Sequence, residues 1–151
     1  MLRWFRKERF LSAADNQRII EAIQATEQLT SGEIRIYIES KNPLVNTLER
    51  ATEIFTRTNM HNTRQRNAVL LYIAVKDREV ALYGDEGIHQ QVGNAFWNDQ
   101  VVRMIDHFKQ NNLTDGIVAC LAAIGDVLIE KFPFDAAIDK NELPDDILFG
   151  K

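Results

Sequence analysis

The chain has 151 residues, 45% of them hydrophobic and 26% charged, with a formal net charge of −4. That is the size and composition of one globular domain with a real core, and the acidic balance removes the electrostatic case for nucleic acid as the main partner. A single cysteine, Cys120, excludes an internal disulfide, and no apolar run approaches the roughly 20 residues of a membrane span.

The first stretch, "MLRWFRKERFL", is basic and aromatic but has no apolar run of roughly 7–15 residues behind it, so it does not read as a secretory signal. The expectation is a cytoplasmic, intact protein whose N-terminal aromatics dock on its own domain. The other reading of Trp4, Phe5 and Phe10 among four basic residues is an anionic membrane surface. A helix follows, with Ser12 and Asp15 in capping-box spacing and Ile19, Ile20, Ala22 and Ile23 at helical period. Ser31-Gly32 reads as its end. "EIRIYIES" alternates Ile34, Ile36 and Ile38 with Arg35, Tyr37 and Glu39, the pattern of a strand.

Helical period returns over 42–60, with Leu44, Leu48, Ala51 and Phe55 on one side. "NAVLLYIAV" is a continuous apolar run of strand length, as expected of a central strand buried on both faces. "KDRE" turns the chain and "VALYG" runs back. Helical segments then extend to Phe132, with breaks expected near Asn98-Asp99 and at "NNLTDG". Thr114 reads as the N-cap of a last helix carrying a stripe of Ile117, Leu121, Ile124 and Leu128. Cys120 lies in that apolar helix and reads as a core residue. The tail from 134 to 151 shows no period. A single domain over 1–151, with its core at about 11–133, follows.

Helices around two strands joined through a helix, plus a hairpin partner, predict an α/β fold. It is a three-layer α/β/α sandwich with a small mixed sheet. The third strand then ends at Gly84-Asp85, at the edge of the sheet where the first two strands begin. Asp85, Glu86, Glu33, Arg64 and Arg66 are expected to share that rim, and Asp99 and Asp115 open later segments that return toward it. Oxygen donors of this kind suit Ca²⁺ or Mg²⁺. Zinc is disfavoured because His61, His89 and His107 lie far apart with no ligand spacing. The alternative for Asp85 is a plain turn and helix start. Arg64 and Arg66 read either as a phosphate clamp or as a solvated strand entry. Phe96 and Trp97 read as core or cleft-wall aromatics. Ser31 and Thr30 lack the His and Asp partners of a hydrolytic triad. If the rim acids are bare, they repel one another until a cation arrives, and Asp85→Asn costs the metal-free protein nothing.

"SGEIRIYIE", "RNAVLLYIAVKDREVALYGDEGI", "FW" and "TDGIVACLAAIGDVLIEKFP" together resemble the TPM domain family over about 11–133. The resemblance implies an α/β/α sandwich and a divalent-cation site in a cleft at one end of the sheet. It also implies the acid-phosphatase activity proposed for the plant branch of the family. Position by position, Gly84-Asp85 matches the family's strand-end glycine and acid, Glu33 its acid after glycine, and Asp115 precedes the matching Gly116-Ile117 pair. Asp99 is added from composition alone. The expected function is a divalent-cation binding module with an unidentified protein or small phosphorylated ligand as partner. The alternatives are a metal-assisted phosphatase, for which no nucleophile or base is identifiable, and a metal-free domain whose cleft takes a peptide.

Overall fold

The computed structural model describes residues 10–136 and 147–150; Trp4, Phe5 and most of the tail lie outside them. In chain order the elements are α1 (Ala13–Glu27), β1 (Glu33–Glu39), α2 (Thr47–Arg57), β2 (Ala68–Ala74), β3 (Glu79–Gly84), α3 (Glu86–Lys109), α4 (Leu113–Lys131) and β4 (Ile147–Phe149). They form the expected α/β fold, with helices on both faces of a mixed sheet ordered β3-β2-β1-β4. β1 and β2 are parallel, Glu33 opposite Ala68, and β3 returns antiparallel with Gly84 opposite Val69. Every residue of β2 is buried, because a central strand with helices on both sides has no wet face.

The larger core layer joins Ile34, Ile36, Ile38, Val69, Leu71 and Ile73 to α1, α3 and α4. The stripe Ile117, Leu121, Ile124 and Leu128 is buried there as the periodicity requires, and so is Cys120. Burial alone pushes the Cys120 thiol up to about 12, well away from thiolate chemistry. On the opposite face α2 lays Ala51, Ile54 and Phe55 over Ala68, Leu70, Tyr72 and Ala74.

Several boundaries differ from the sequence pattern. α1 stops at Glu27, and Thr30 instead bridges to Pro133. Asn46, not an earlier residue, caps α2, so Leu44 precedes the helix and Leu48 is 52% exposed. The charged residue Arg50 takes the inward place, which a hydrophobic stripe cannot announce. α3 runs unbroken through Asn98-Asp99 and bends at Gly93, whose φ of 76° is in the left-handed region that glycine enters freely. Asn112, not Thr114, caps α4. The tail contributes β4, parallel to β1, with Ile147 opposite Ile36 and Phe149 stacked on Phe10. Three residues are too short a strand to show alternation. Among the described residues no helix is long and apolar enough to cross a membrane.

The polar half of β1 is also buried. At the end of the sheet where β1 and β2 finish, Glu39 (4% exposed) accepts from Arg50 Nε and Nη2, both at 2.8 Å, and from the Tyr72 hydroxyl. The hydrogen bonds to Glu39 hold Arg50 above the ordinary arginine range. Burial, reinforced by Glu39, does the same to the Tyr72 hydroxyl. Each charge is compensated, which makes breaking the pair costly. Arg50→Ala is expected to lower stability by about 3–5 kcal/mol in urea unfolding, and the double change Glu39→Leu/Arg50→Met by much less. Cys120 is expected to stay unmodified by iodoacetamide in the folded protein and to react only once urea unfolds it. Alkylation of the native protein at neutral pH contradicts the burial.

Candidate functional site

β3 is an edge strand, and a groove of about 690 Å³ runs along it. One wall is the start of α2, with Asn46, Thr47 and Leu48; the other is α3, with His89, Asn94, Trp97, Asn98 and Val101. The rim residues Arg66, Asp85 and Glu86 close one end.

Local sequence explains why the chain turns so tightly there. Asp85 is the N-cap of α3, its Oδ1 accepting the Glu86 N–H at 2.8 Å. Its own N–H donates to the Ala68 carbonyl at 2.9 Å. Arg66, just before β2, has a φ of 53°, and its carbonyl accepts the Gly87 N–H at 2.8 Å. A Cβ on Gly87 would lie 2.1 Å from the Gln65 carbonyl oxygen, so only glycine permits this approach of helix to loop. Gly84 has the same reason from the other side: its Cβ would lie 2.3 Å from the Trp97 ring. Trp97 is 7% exposed, and its Nε1–H donates to His89 Nδ1 at 3.0 Å across the bend at Gly93. Trp97 is therefore a cleft-wall aromatic.

Asp85 is 2% exposed, yet it is not a bare carboxylate. Arg66 clamps it through Nε–Oδ2 at 2.7 Å and Nη2–Oδ1 at 2.9 Å, and its remaining Nη1 lies 3.3 Å from Glu86 Oε1. Hydrogen bonding to Asp85 is the main cause that raises Arg66 above the ordinary arginine range. The expectation of mutual repulsion among rim acids is thus corrected, because an internal cation already sits between them. Arg66 itself is the outer member of the pair, with 41% of its side chain exposed against 3% for Asp85.

Of the seven rim candidates, Asp85, Glu86 and Arg66 are joined directly, by ion pairs. Glu33 begins β1 on the far side of Ala68 from Asp85. Two strand spacings, roughly 10 Å, separate their backbones. Glu33 is 5% exposed, Arg64 is exposed in the turn before β2, and both have partners of their own. Asp99 sits on the outer surface of α3, paired with Arg103 one turn on at 3.0 Å. Asp115 pairs with Arg18 at 2.7 Å in the first turn of α4. Gly32, at the rim, packs near Leu128, thirteen residues farther along that helix. At 1.5 Å per residue this puts Asp115 about 20 Å from the rim. Neither Asp99 nor Asp115 joins Asp85 in this arrangement. Ser31 accepts from Gln65 Nε2 at 2.9 Å and Asn67 Nδ2 at 3.2 Å, an amide setting with no histidine in it.

Among the described residues no three His, Cys, Asp or Glu side chains gather as a metal group. Asp85 and Glu86 do present two carboxylates around one positive charge.

The profile of the TPM domain matches residues 5–127. The chain belongs to the TPM domain family. Its fold is similar to the solution structure of BA42 from the psychrophilic bacterium Bizionia argentinensis. The TM-score is 0.83 and the identity 37%, covering 93% of this chain and 96% of that one. The N-terminal domains of a P. gingivalis protein and of cg2496 from Corynebacterium glutamicum share the fold at greater distance. Their TM-scores are 0.65 and 0.59 and their identities 19% and 14%. They cover 83% and 89% of this chain and 82% and 80% of theirs. A search of curated proteins finds no match. The Asp85 carboxylate of this TPM domain stands at the junction of β3 and α3.

Groove residues that sequence reading missed are Asn46, Thr47, Asn94 and Asn98. Nothing in their local spacing marks them, because they converge only when α2 and α3 flank the same edge. Asp85→Asn keeps the cap, since Asn caps about as well as Asp, but loses the charge that holds Arg66. Its metal-free melting temperature is expected to fall by a few degrees. Asp85→Ala is expected to lose about 1 kcal/mol more, the value of the cap. Metal-free melting curves of the two variants, run beside the parent, read both effects; equal stability of all three contradicts the pairing.

Proposed function

We propose that this TPM domain is a binding module that takes a hard divalent cation, Ca²⁺ or Mg²⁺, at Asp85 and Glu86 by exchange with Arg66. One observation carries the reading: a carboxylate 2% exposed is neutralised by a guanidinium whose side chain is 41% exposed. A buried anion needs a counter-charge, but nothing requires that it be the arginine. Two carboxylates, the neighbouring carbonyls and retained waters make Mg²⁺ the easier occupant. Ca²⁺, with 6–8 oxygens, needs more donors from the groove. A bound cation changes the charge at the closed end of the groove and so couples to whatever ligand lies along β3.

The phosphatase reading finds less support. The groove lining includes no serine or cysteine, Thr47 Oγ1 donates to Glu79, and His89 Nδ1 is engaged by Trp97. A cation-exchange site requires only a rotation of the Arg66 side chain.

The test is thermal melting in chelator and in Mg²⁺ or Ca²⁺. At about 100 times the dissociation constant, linkage adds roughly 2.7 kcal/mol. For a domain of this size that is a rise of about 5–10 °C. Arg66→Gln removes the competing cation, so metal-free stability is expected to fall while apparent metal affinity rises. Asp85→Asn is expected to lose most of the metal response. Coincident curves with and without metal sink the proposal, as does an Arg66→Gln protein that binds metal more weakly than the parent.

A further inference from the structure

The free edge of β3 has a directional property that the cation reading does not use. In an antiparallel pair, residues alternate between those that exchange hydrogen bonds with the partner and those that face away. Asp85 N–H donates to the Ala68 carbonyl, so Asp85 opposes Ala68 as a bonded pair. The register then makes Tyr83–Leu70, Ala81–Tyr72 and Glu79–Ala74 bonded pairs as well. Val80, Leu82 and Gly84 consequently aim their N–H and C=O groups away from β2. β3 is the last strand of the sheet, so among the described residues no strand receives them. Val80 and Leu82 are 5% and 4% exposed, because their side chains are packed in the core. All three residues line the groove.

We infer that the groove binds an extended peptide segment of a partner protein, which adds to the sheet as a fifth strand against β3. Unpaired backbone donors and acceptors at every second residue specify an occupant with the same repeat, and a β-strand supplies it. The walls specify its side chains. A strand at this position alternates its side chains toward two faces, and each face offers apolar surface. Leu48, 52% exposed, stands on the α2 side, and Trp97 and Val101 stand on the α3 side. Charge specifies the end beside Gly84. Asp85 and Arg66 cancel, and Glu86, with 64% of its side chain exposed, leaves that end negative. The favoured segment is therefore apolar through its middle, with a lysine or arginine where it reaches Gly84. The inference uses the groove and not the cation, and holds whether or not Asp85 and Glu86 take a metal.

The first measurement is amide hydrogen exchange of the full chain alone, in chelator. Val80, Leu82 and Gly84 are expected to exchange fast, between protected Ala81 and Tyr83. Protection of all five overturns the inference, because the edge is then already covered. Protection that rises with protein concentration assigns the edge to a second copy, and protection independent of concentration to the chain's own ends.

The second measurement is an amide-shift titration with the end-blocked peptide KVTVTVK. Expected are shifts and slowed exchange at Val80, Leu82 and Gly84. Methylation of alternate peptide amides is expected to weaken binding about tenfold or more, since each lost hydrogen bond is worth about 1 kcal/mol. Asn98→Trp fills the groove from an exposed position and is expected to abolish binding while the rest of the amide spectrum stays in place. Repeating the titration with Mg²⁺ separates the two proposals, because peptide binding that persists in chelator stands even if the cation site fails. Absence of shifts at those three amides with millimolar peptide overturns the inference. Binding indifferent to N-methylation or to Asn98→Trp does so too.

Discussion

A carboxylate 2% exposed needs partners for its oxygens, and at Asp85 that need ties together three parts of the chain. Its backbone closes the last pair between β2 and β3, and its side chain caps α3. Its charge recruits Arg66 from the loop that enters β2. Arg66 returns a second link, its carbonyl accepting from Gly87 in the first turn of α3. The direction in which α3 leaves the sheet follows from this knot, and with it the position of Trp97 and the far wall of the groove.

The sheet carries a second buried carboxylate, Glu39, at its opposite end, and the contrast is informative. Both are held by an arginine through two nitrogens at 2.7–2.9 Å. Arg50, with 9% of its side chain exposed, is enclosed with its partner, and Tyr72 contributes a further hydrogen bond. That cluster has no route for exchange and serves the packing of α2 on the sheet. Arg66 is exposed on its outer side and borders a groove. The same pair chemistry is thus structural where both partners are enclosed and replaceable where one of them faces water.

The groove owes its existence to strand order. β3 is at the edge because the hairpin places it beside β2 and, among the described residues, nothing follows it on that side. An open edge is an association hazard that proteins ordinarily cover or shorten. Here α2 and α3 stand beside it without closing over it, and the bend at Gly93 carries the second half of α3 past the strand. Walls that leave a groove along the strand are a form suited to binding one strand in place of indiscriminate pairing.

Much of this was determined by the sequence by itself. The continuous run in β2, the alternation in β1 and the stripe of α4 are local periodicities, and burial enforces them wherever the elements end up. The same reasoning placed Asp85, Glu86 and Arg66 on one rim, because strand direction alone decides which ends meet. Tertiary structure decided what local pattern does not encode. It turned Arg35, Glu39 and Arg50 inward, since a charge is buried when a partner on another element receives it. It sent Asp115 to Arg18 and Asp99 to Arg103, away from the rim, because helix length and phase fix where a side chain emerges. It made a strand of Ile147–Phe149, whose only signal is the bare edge of β1 beside it. And it gave Asp85 its arginine: a carboxylate in a string of letters looks available for a cation, and only the folded chain reveals the charge already held against it.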